Sequence, residues 1–329
     1  MNVRVASLLP PSTHLEHNLA RVQTWISACE QSHPECNVPA TFTPLRSLDL
    51  ECEDTEIVKV VELRSVTNVR YACLSHCWGM TISKHITTTK NLAANTNGIP
   101  IEELPKTFRD AVSVARALEL RYLWIDSLCI VQDSKTDWAT HVGAMAAIYE
   151  NGYFTQAAGA HDSDDGGFFT TSKDVFADPH LLKLELGGHV YKIYVRAAVD
   201  HPHHPHREAK VLPLMKRDWC YQEQLLSRRF LCFGTEILWE CLQDVACSCS
   251  VASGPFNPRI PGEMPKFHGC PPLKIQFSSA HGDHRTVWQD LVSEYTSRQL
   301  KYPSDKLPAL VGLTNAVQVG PAHTTISTN

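Results

Sequence analysis

The chain has 329 residues, of which 43% are hydrophobic and 20% charged, with 35 acidic against 30 basic side chains and a formal net charge of −5. These values fit an ordinary globular protein with a proper core. They argue against a broad basic face for nucleic acid, since no Lys/Arg-rich stretch is present. No segment approaches the ~20 apolar residues that span a bilayer, and "MNVRVASLLPPSTHLEH" lacks the apolar core of a secretion signal, so the expectation is a soluble, cytoplasmic protein.

The first predicted element is a helix over "LEHNLARVQTWISACEQ", where Leu19, Val22, Trp25, Ile26 and Cys29 recur at helical spacing. The Pro-containing stretch that follows, through "PLRSLDLECEDTE", reads as irregular. "EIVKVVEL" alternates like a strand, and "YACL" is a second strand. After a polar stretch, Pro105 opens an amphipathic helix with Phe108, Ala111, Val112, Ala115 and Leu118 on one face. "RYLWI" is a short apolar strand. "DSLCIVQDSKTDW" is a loop that leads into a helix near Thr136, with Trp138, Val142, Met145 and Tyr149 on one face. "YFTQAAGA" is a third buried strand. Short apolar strands separated by helices indicate a parallel α/β sheet.

Beyond residue 160, "HDSDDGGFF" is a turn, too short for a calcium loop. "KLELGGHVYKIYV" is an antiparallel hairpin around Gly187 and Gly188. "HPHHPHREAK" is a polar loop, and "WCYQEQLLSRRFLCFGTEILWECL" reads as helix, strand, strand. Residues 247–287 form a Pro-, Gly-, Ser- and His-rich excursion, followed by a helix at "TVWQDLVSEYTSRQL" and the start of another at "DKLPALVGLTNAV".

Parallel neighbours at 71 and 122 place their C-terminal ends on one edge of the sheet, where open α/β sheets bind ligands. Ser75, His76 and Cys77 leave the first strand there, and Asp126 and Ser127 leave the second. A carboxylate directly after "YLWI" stands beside a dry wall, which suits a charge-steering or acid–base group. The structural alternative is that Asp126 caps its turn and Ser75 satisfies backbone groups.

"YACLSHCWG", "LPKTFRDAVSVARALELRYLWIDSLCIVQDSKTDW", "MAAIYENGYFTQAAGA" and "RDWCYQEQLLSRRFLCFG" occur in the order of the fungal heterokaryon-incompatibility (HET) domain, and "WQDLVSEYTSRQLKYPSDKLPALVGL" resembles the segment that follows it. The resemblance covers roughly residues 71–315. It implies a TIR-like, flavodoxin-like, mostly parallel sheet flanked by helices, with an antiparallel insertion and a C-terminal helical region. It also implies fungal origin and a link to non-self recognition and cell death. On this reading residues 1–55 are a helix and irregular lead-in, 56–245 the HET-like α/β domain, and 246–329 a loop-rich excursion with C-terminal helices.

Relatives of the TIR superfamily hydrolyse NAD with a glutamate, so NAD enters as a candidate substrate. Where the family commonly has an acidic residue three positions after the tryptophan of "DW", this chain has His141, on the helical face of Trp138 and Met145, which makes it either a core histidine or a pocket-lining, ligand-binding one. Histidine replaces poorly the anion that stabilises an oxocarbenium ion, which leaves Asp126 or Glu223 for that role.

Two functions from different classes remain. One is an incompatibility or death-signalling module that acts through self-association, or through another death-signalling protein, and binds a nucleotide at the strand ends. The other is a cofactor-free cyclase or isomerase, such as a pericyclic [4+2] cyclase, acting on a small hydrophobic terpenoid or polyketide. The first would use Ser75, His76, Trp78, Asp126, Ser127 and Glu223. The second would use Trp78, Trp124 and Trp219 as walls and His76 as donor. Arg217 is a further pocket candidate, or one half of a structural Arg–Glu pair with Glu223.

No resident cofactor, nucleic acid, membrane or metal is expected. Cys241, Cys247, Cys249 and "HPHHPH" invite a zinc reading, but no CxxC pair occurs. Cys73, Cys129, Cys220 and Cys232 sit in apolar runs as buried thiols. Cys77 follows His76, but successive strand residues point to opposite faces, so a buried thiol under Trp78 is preferred to a nucleophile.

Overall fold

A helix of 18 residues, α1 (Leu15–Ser32), opens the architecture and buries Leu15, Asn18, Val22, Ile26 and Cys29. The computed structural model to which it belongs describes residues 9–63, 66, 69–79, 85–172, 178–195, 212–249, 284–296, 298 and 313. The strands of its main sheet are β1 (Arg46–Asp49), β2 (Ile57–Glu62), β3 (Tyr71–Ser75), β4 (Ile99–Pro100), β5 (Tyr122–Trp124), β6 (Phe154–Ala158), β9 (Arg229–Phe233), β10 (Ile237–Cys241) and β11 (Val245–Cys247). A separate two-stranded sheet pairs β7 (His180–Leu186) with β8 (His189–Val195). The remaining helices are α2 (Leu92–Asn97), α3 (Lys106–Ala117), α4 (Asp126–Cys129), α5 (Lys135–Asn151), α6 (Asp218–Leu226) and α7 (His284–Thr296).

The main sheet runs β11-β10-β9-β6-β3-β5-β1-β2-β4. Its centre, β5-β3-β6-β9, is parallel, and both flanks are antiparallel. In chain order the parallel strands run 2-1-3-4, which is the flavodoxin-like arrangement, with the reversal of direction falling beside β3.

Alternation along β3 explains how the sheet is buried. Ala72 and Leu74 face a core built with Val22, Ile26, Phe108, Ala111 and Ala115 from α1 and α3. Tyr71 and Cys73 face a second core with Ile148, Tyr149, Leu225 and Leu291 from α5, α6 and α7. Gly79 ends the segment after β3 with φ +85°, and a Cβ there would meet Ser163 Cβ at 3.2 Å.

The structure departs from the sequence reading at three points. Residues 46–49, expected to be irregular, form β1 inside the sheet between β2 and β5. Its charges are neutralised in place: Arg46 pairs with Asp137 and donates to Cys129 O at 2.9 Å, and Asp49 accepts from Arg121 at 3.0 and 2.7 Å. The "DSLC" segment, expected as loop, forms the one-turn helix α4. On α5 the buried side chains are His141, Met145, Ile148, Tyr149 and Asn151, while Trp138, which shares their face in the first turn, is 43% exposed.

The helix starting at Lys106, the Gly187–Gly188 hairpin and the helix–strand–strand block after 217 match their expected places. "HPHHPHREAK" and "DKLPALVGLTNAV" lie outside the described residues, apart from Leu313. The described cysteines are all free thiols, and all but Cys52 are buried. Among the described residues no helix is long and apolar enough to cross a membrane.

Candidate functional site at the strand C-terminal edge

Ser75 is the last residue of β3, His76 follows it, and Asp126 and Ser127 open α4 directly after β5. The parallel register that sets Cys73 beside Trp124 brings these two exits together. His76 Nδ1 lies 3.9 Å from Asp126 Oδ1. This is beyond hydrogen-bond range. The other oxygen, Asp126 Oδ2, accepts from Trp78 Nε1 at 2.9 Å, and Oδ1 accepts from the Ser127 backbone N–H at 2.7 Å. The Asp126 side chain keeps 24% of its surface exposed, whereas that of His76 keeps 2%.

The third contributor is the start of α6. Arg217, the residue before the helix, donates from Nη1 to His76 O at 2.7 Å, which ties this helix to the exit from β3. One and a half turns on, Glu223 faces the same region and is 6% exposed. Its Oε2 is buried without a hydrogen-bond partner, as are Ser75 Oγ and Ser127 Oγ. Tyr149 OH donates to Leu74 O at 3.2 Å and also lies close to the Glu223 carboxyl.

Electrostatics follow from this burial. Desolvation pushes the Glu223 carboxyl up to about 7. The Ser75 side chain opposes the rise, close by but without a hydrogen bond of ordinary geometry. The Asp126 charge adds to it, and Arg217 and Tyr149 oppose it. Desolvation likewise raises Asp126 to about 6, against its bonds from Ser127 and Trp78 and the charge of Arg217. His76 is pushed down to about 3 by burial and by Arg217, so its imidazole is neutral and the His76–Asp126 approach is not an ion pair at neutral pH. Two carboxyls poised close to neutrality flank a guanidinium with donors to spare, a set able to accept hydroxyl protons, hold an anion or exchange a proton.

The other sequence candidates fall elsewhere. Trp124 is fully buried, its ring edge-on to Tyr149 at 5.7 Å, so it offers no open wall. Trp219 is half-buried against the second core. Trp78 is half-buried and holds Asp126. His141 is 2% exposed by side chain, with Nδ1 2.8 Å from Asp137 O and 3.4 Å from Asp137 Oδ2, inside the Arg46–Asp137 cluster. Cys77 is buried beside Arg217 in a third core cluster, and burial raises its thiol.

Sequence reading missed Tyr149 and Cys220 at this site; both lie within electrostatic reach of Glu223. Only their spacing on helices hinted at it. Two cavities in other parts of the molecule, of about 310 Å³ beside Arg228 and Arg229 and about 480 Å³ beside Asp137, include none of Ser75, His76, Asp126 or Glu223.

Residues 71–223 match the family model described as heterokaryon incompatibility protein (HET). The chain carries a HET domain. Its matched span begins at the first residue of β3 and ends at Glu223, so every member of the strand-edge cluster falls inside it. The HET domain leaves β1, β2 and β9 to β11 outside its bounds, although they share its sheet. Searches of curated proteins and of solved structures found no significant match to the chain.

Proposed function

We propose that the chain is an incompatibility-type death-signalling protein whose HET domain binds a nucleotide at the C-terminal edge of its parallel strands. The observation that carries this reading is the pair of buried oxygens that make no hydrogen bond of ordinary geometry, Ser75 Oγ and Glu223 Oε2, which lie close together and within electrostatic reach of Arg217, while Ser127 Oγ is buried without a partner at the end of the neighbouring strand. A buried polar atom without a partner costs roughly 1–3 kcal/mol, and a ligand that supplies the missing bonds recovers that cost. A ribose presents adjacent hydroxyl donors to a carboxylate, and a phosphate matches a guanidinium. Placement at the reversal of strand order adds general support.

The many buried free thiols fit a reducing compartment such as the cytoplasm. The exposed β7–β8 hairpin, with Leu182, Leu186, Val190 and Tyr194 each more than half exposed, offers an apolar surface for self-association. The cyclase reading needs an aromatic wall, and the sealed position of Trp124 takes weight from it.

The test is calorimetric titration of the purified chain with NAD and with ATP, alongside Glu223→Gln and Arg217→Met. The expected outcome is binding of at least one nucleotide, weakened tenfold or more in either variant, with loss of cell death on expression in a fungal host. No binding of either nucleotide, or binding indifferent to both substitutions, overturns the reading. Release of nicotinamide from NAD by the wild type but not by Glu223→Gln would make the same site a hydrolase.

A further inference from the structure

At the opposite edge of the sheet, three segments bring four metal-ligating side chains to one point. Cys29 ends the buried stripe of α1, His33 is the residue after that helix, and Cys36 lies in the 3-10 turn Pro34–Asn37. Cys241 arrives from the end of β10 and lies 208 residues along the chain from His33. The three sulfurs and one imidazole nitrogen all lie within 4.8 Å of one another. Cys241 Sγ is 3.3 Å from His33 Nδ1. Cys29 and Cys241 are fully buried, Cys36 is 1% exposed, and only His33 reaches the surface.

We propose that Cys29, His33, Cys36 and Cys241 form a structural zinc site. A tetrahedral zinc with bonds of about 2.3 Å to sulfur needs its ligands about 3.8 Å apart, so these four atoms have to draw in by about 1 Å or less. Three cysteines and one histidine, with no position left open, is the donor set of a closed structural site rather than a catalytic one. Zinc binding displaces the three thiol protons to solvent and leaves a centre of net charge −1. The surroundings are built for that charge. Arg229 Nε donates to Cys29 Sγ at 3.3 Å, and the backbone N–H groups of Gln243 and Asp244 donate to Cys241 Sγ at 3.5 and 3.2 Å.

The loop that carries the first three ligands is itself fixed. Asn37 Nδ2 donates to Cys29 O, Glu30 O and His33 O at 3.1, 2.9 and 2.9 Å, which closes the end of α1, while Asn37 Oδ1 accepts from Arg229. Such second-sphere hydrogen bonds hold ligands in place before the metal arrives. The site fastens α1, which precedes the HET domain, to the β9–β10 pair, which follows it. The second sulfur group nearby, Cys247 and Cys249 at 3.2 Å, is separate from it.

The test uses the untagged full-length chain, purified without chelator, with elemental analysis for zinc and with cobalt exchange. The expected result is one zinc per chain. The cobalt form should show strong tetrahedral d–d bands and thiolate-to-cobalt charge transfer, and the zinc should be lost in Cys29→Ser and in Cys241→Ser. It should be retained when the histidines of "HPHHPH" are replaced by alanine. If the serine variants fail to fold, the wild type still decides: chelation should free three additional thiols and lower the melting temperature. A zinc-free wild type, a disulfide between any two of these cysteines, or cobalt spectra without thiolate charge transfer overturns the proposal.

Discussion

The two ends of the parallel strands are built to opposite rules. At the N-terminal end the polar groups around Arg229 are spent: the guanidinium reaches Cys29 Sγ, Tyr153 O and Asn37 Oδ1, and stacks over the Tyr153 ring at 4.8 Å. At the C-terminal end Ser75 Oγ, Ser127 Oγ and Glu223 Oε2 are buried without a hydrogen bond of ordinary geometry, although Ser75 lies close to Glu223 and Cys220. Both regions are largely buried, polar and charged, so burial alone does not distinguish a structural cluster from a binding one. What distinguishes them is whether the hydrogen-bonding capacity is used within the chain.

Substitutions sharpen that contrast. The largest effect is expected from Arg229→Ala, which removes three hydrogen bonds and a cation–π contact and should cost about 4 kcal/mol in urea unfolding, at about 1 kcal/mol for each contact. A loss under about 1 kcal/mol would break the comparison at its satisfied end.

Next is Glu223→Gln, read through pH. Its carboxyl is raised to about 7 from an ordinary 4.5. The stability that the protonated form contributes is therefore fully present below about pH 4.5 and is lost as pH rises through about 7. The wild type should lose on the order of 3 kcal/mol more than the glutamine variant between those limits. His76 has the opposite sign, since its depressed value means stability lost as pH falls below about 6.5 toward 3, but it is common to both proteins and drops out of the difference. Equal pH slopes in wild type and variant would show that Glu223 is already ionised in the folded state.

The smallest effect is expected from Ser75→Ala. With no hydrogen bond of ordinary geometry to lose, its unfolding free energy should stay within about 1 kcal/mol of the wild type, while nucleotide affinity falls. A large loss of stability would place Ser75 among the satisfied groups.

Much of this was legible in the sequence, and the exceptions share a cause. The parallel strands announced themselves because "YACL" and "YLWI" are apolar on both faces and "YFTQAAGA" nearly so, with only Thr155 and Gln156 polar, as expected of fully covered strands. β1 did not, because "RSLD" has a single apolar residue, Leu48, between charged ends. It is tolerated inside the sheet only because Asp137 and Arg121, far along the chain, neutralise its charges. The exits at Ser75 and Asp126 were readable from strand ends alone. The involvement of Tyr149 was not, because it depends on how α5 lies across β3. The Cys29-His33-Cys36 spacing stood in the sequence, but its fourth member, Cys241, comes from β10, and its sequence neighbours Cys247 and Cys249, with which the zinc reading grouped it, lie in a separate cluster.

The HET match stops short of the sheet it belongs to. A fragment cut at residues 71 and 223 would keep β5, β3 and β6 but discard β1 from one side and β9 from the other. It would also sever α6 three residues before its end. Two raw rows of amide and carbonyl groups would then face solvent along strands made for the interior, an invitation to stack with neighbouring copies. Expression of that minimal piece should give aggregates, and useful boundaries for the domain start before Arg46 and run past Cys247.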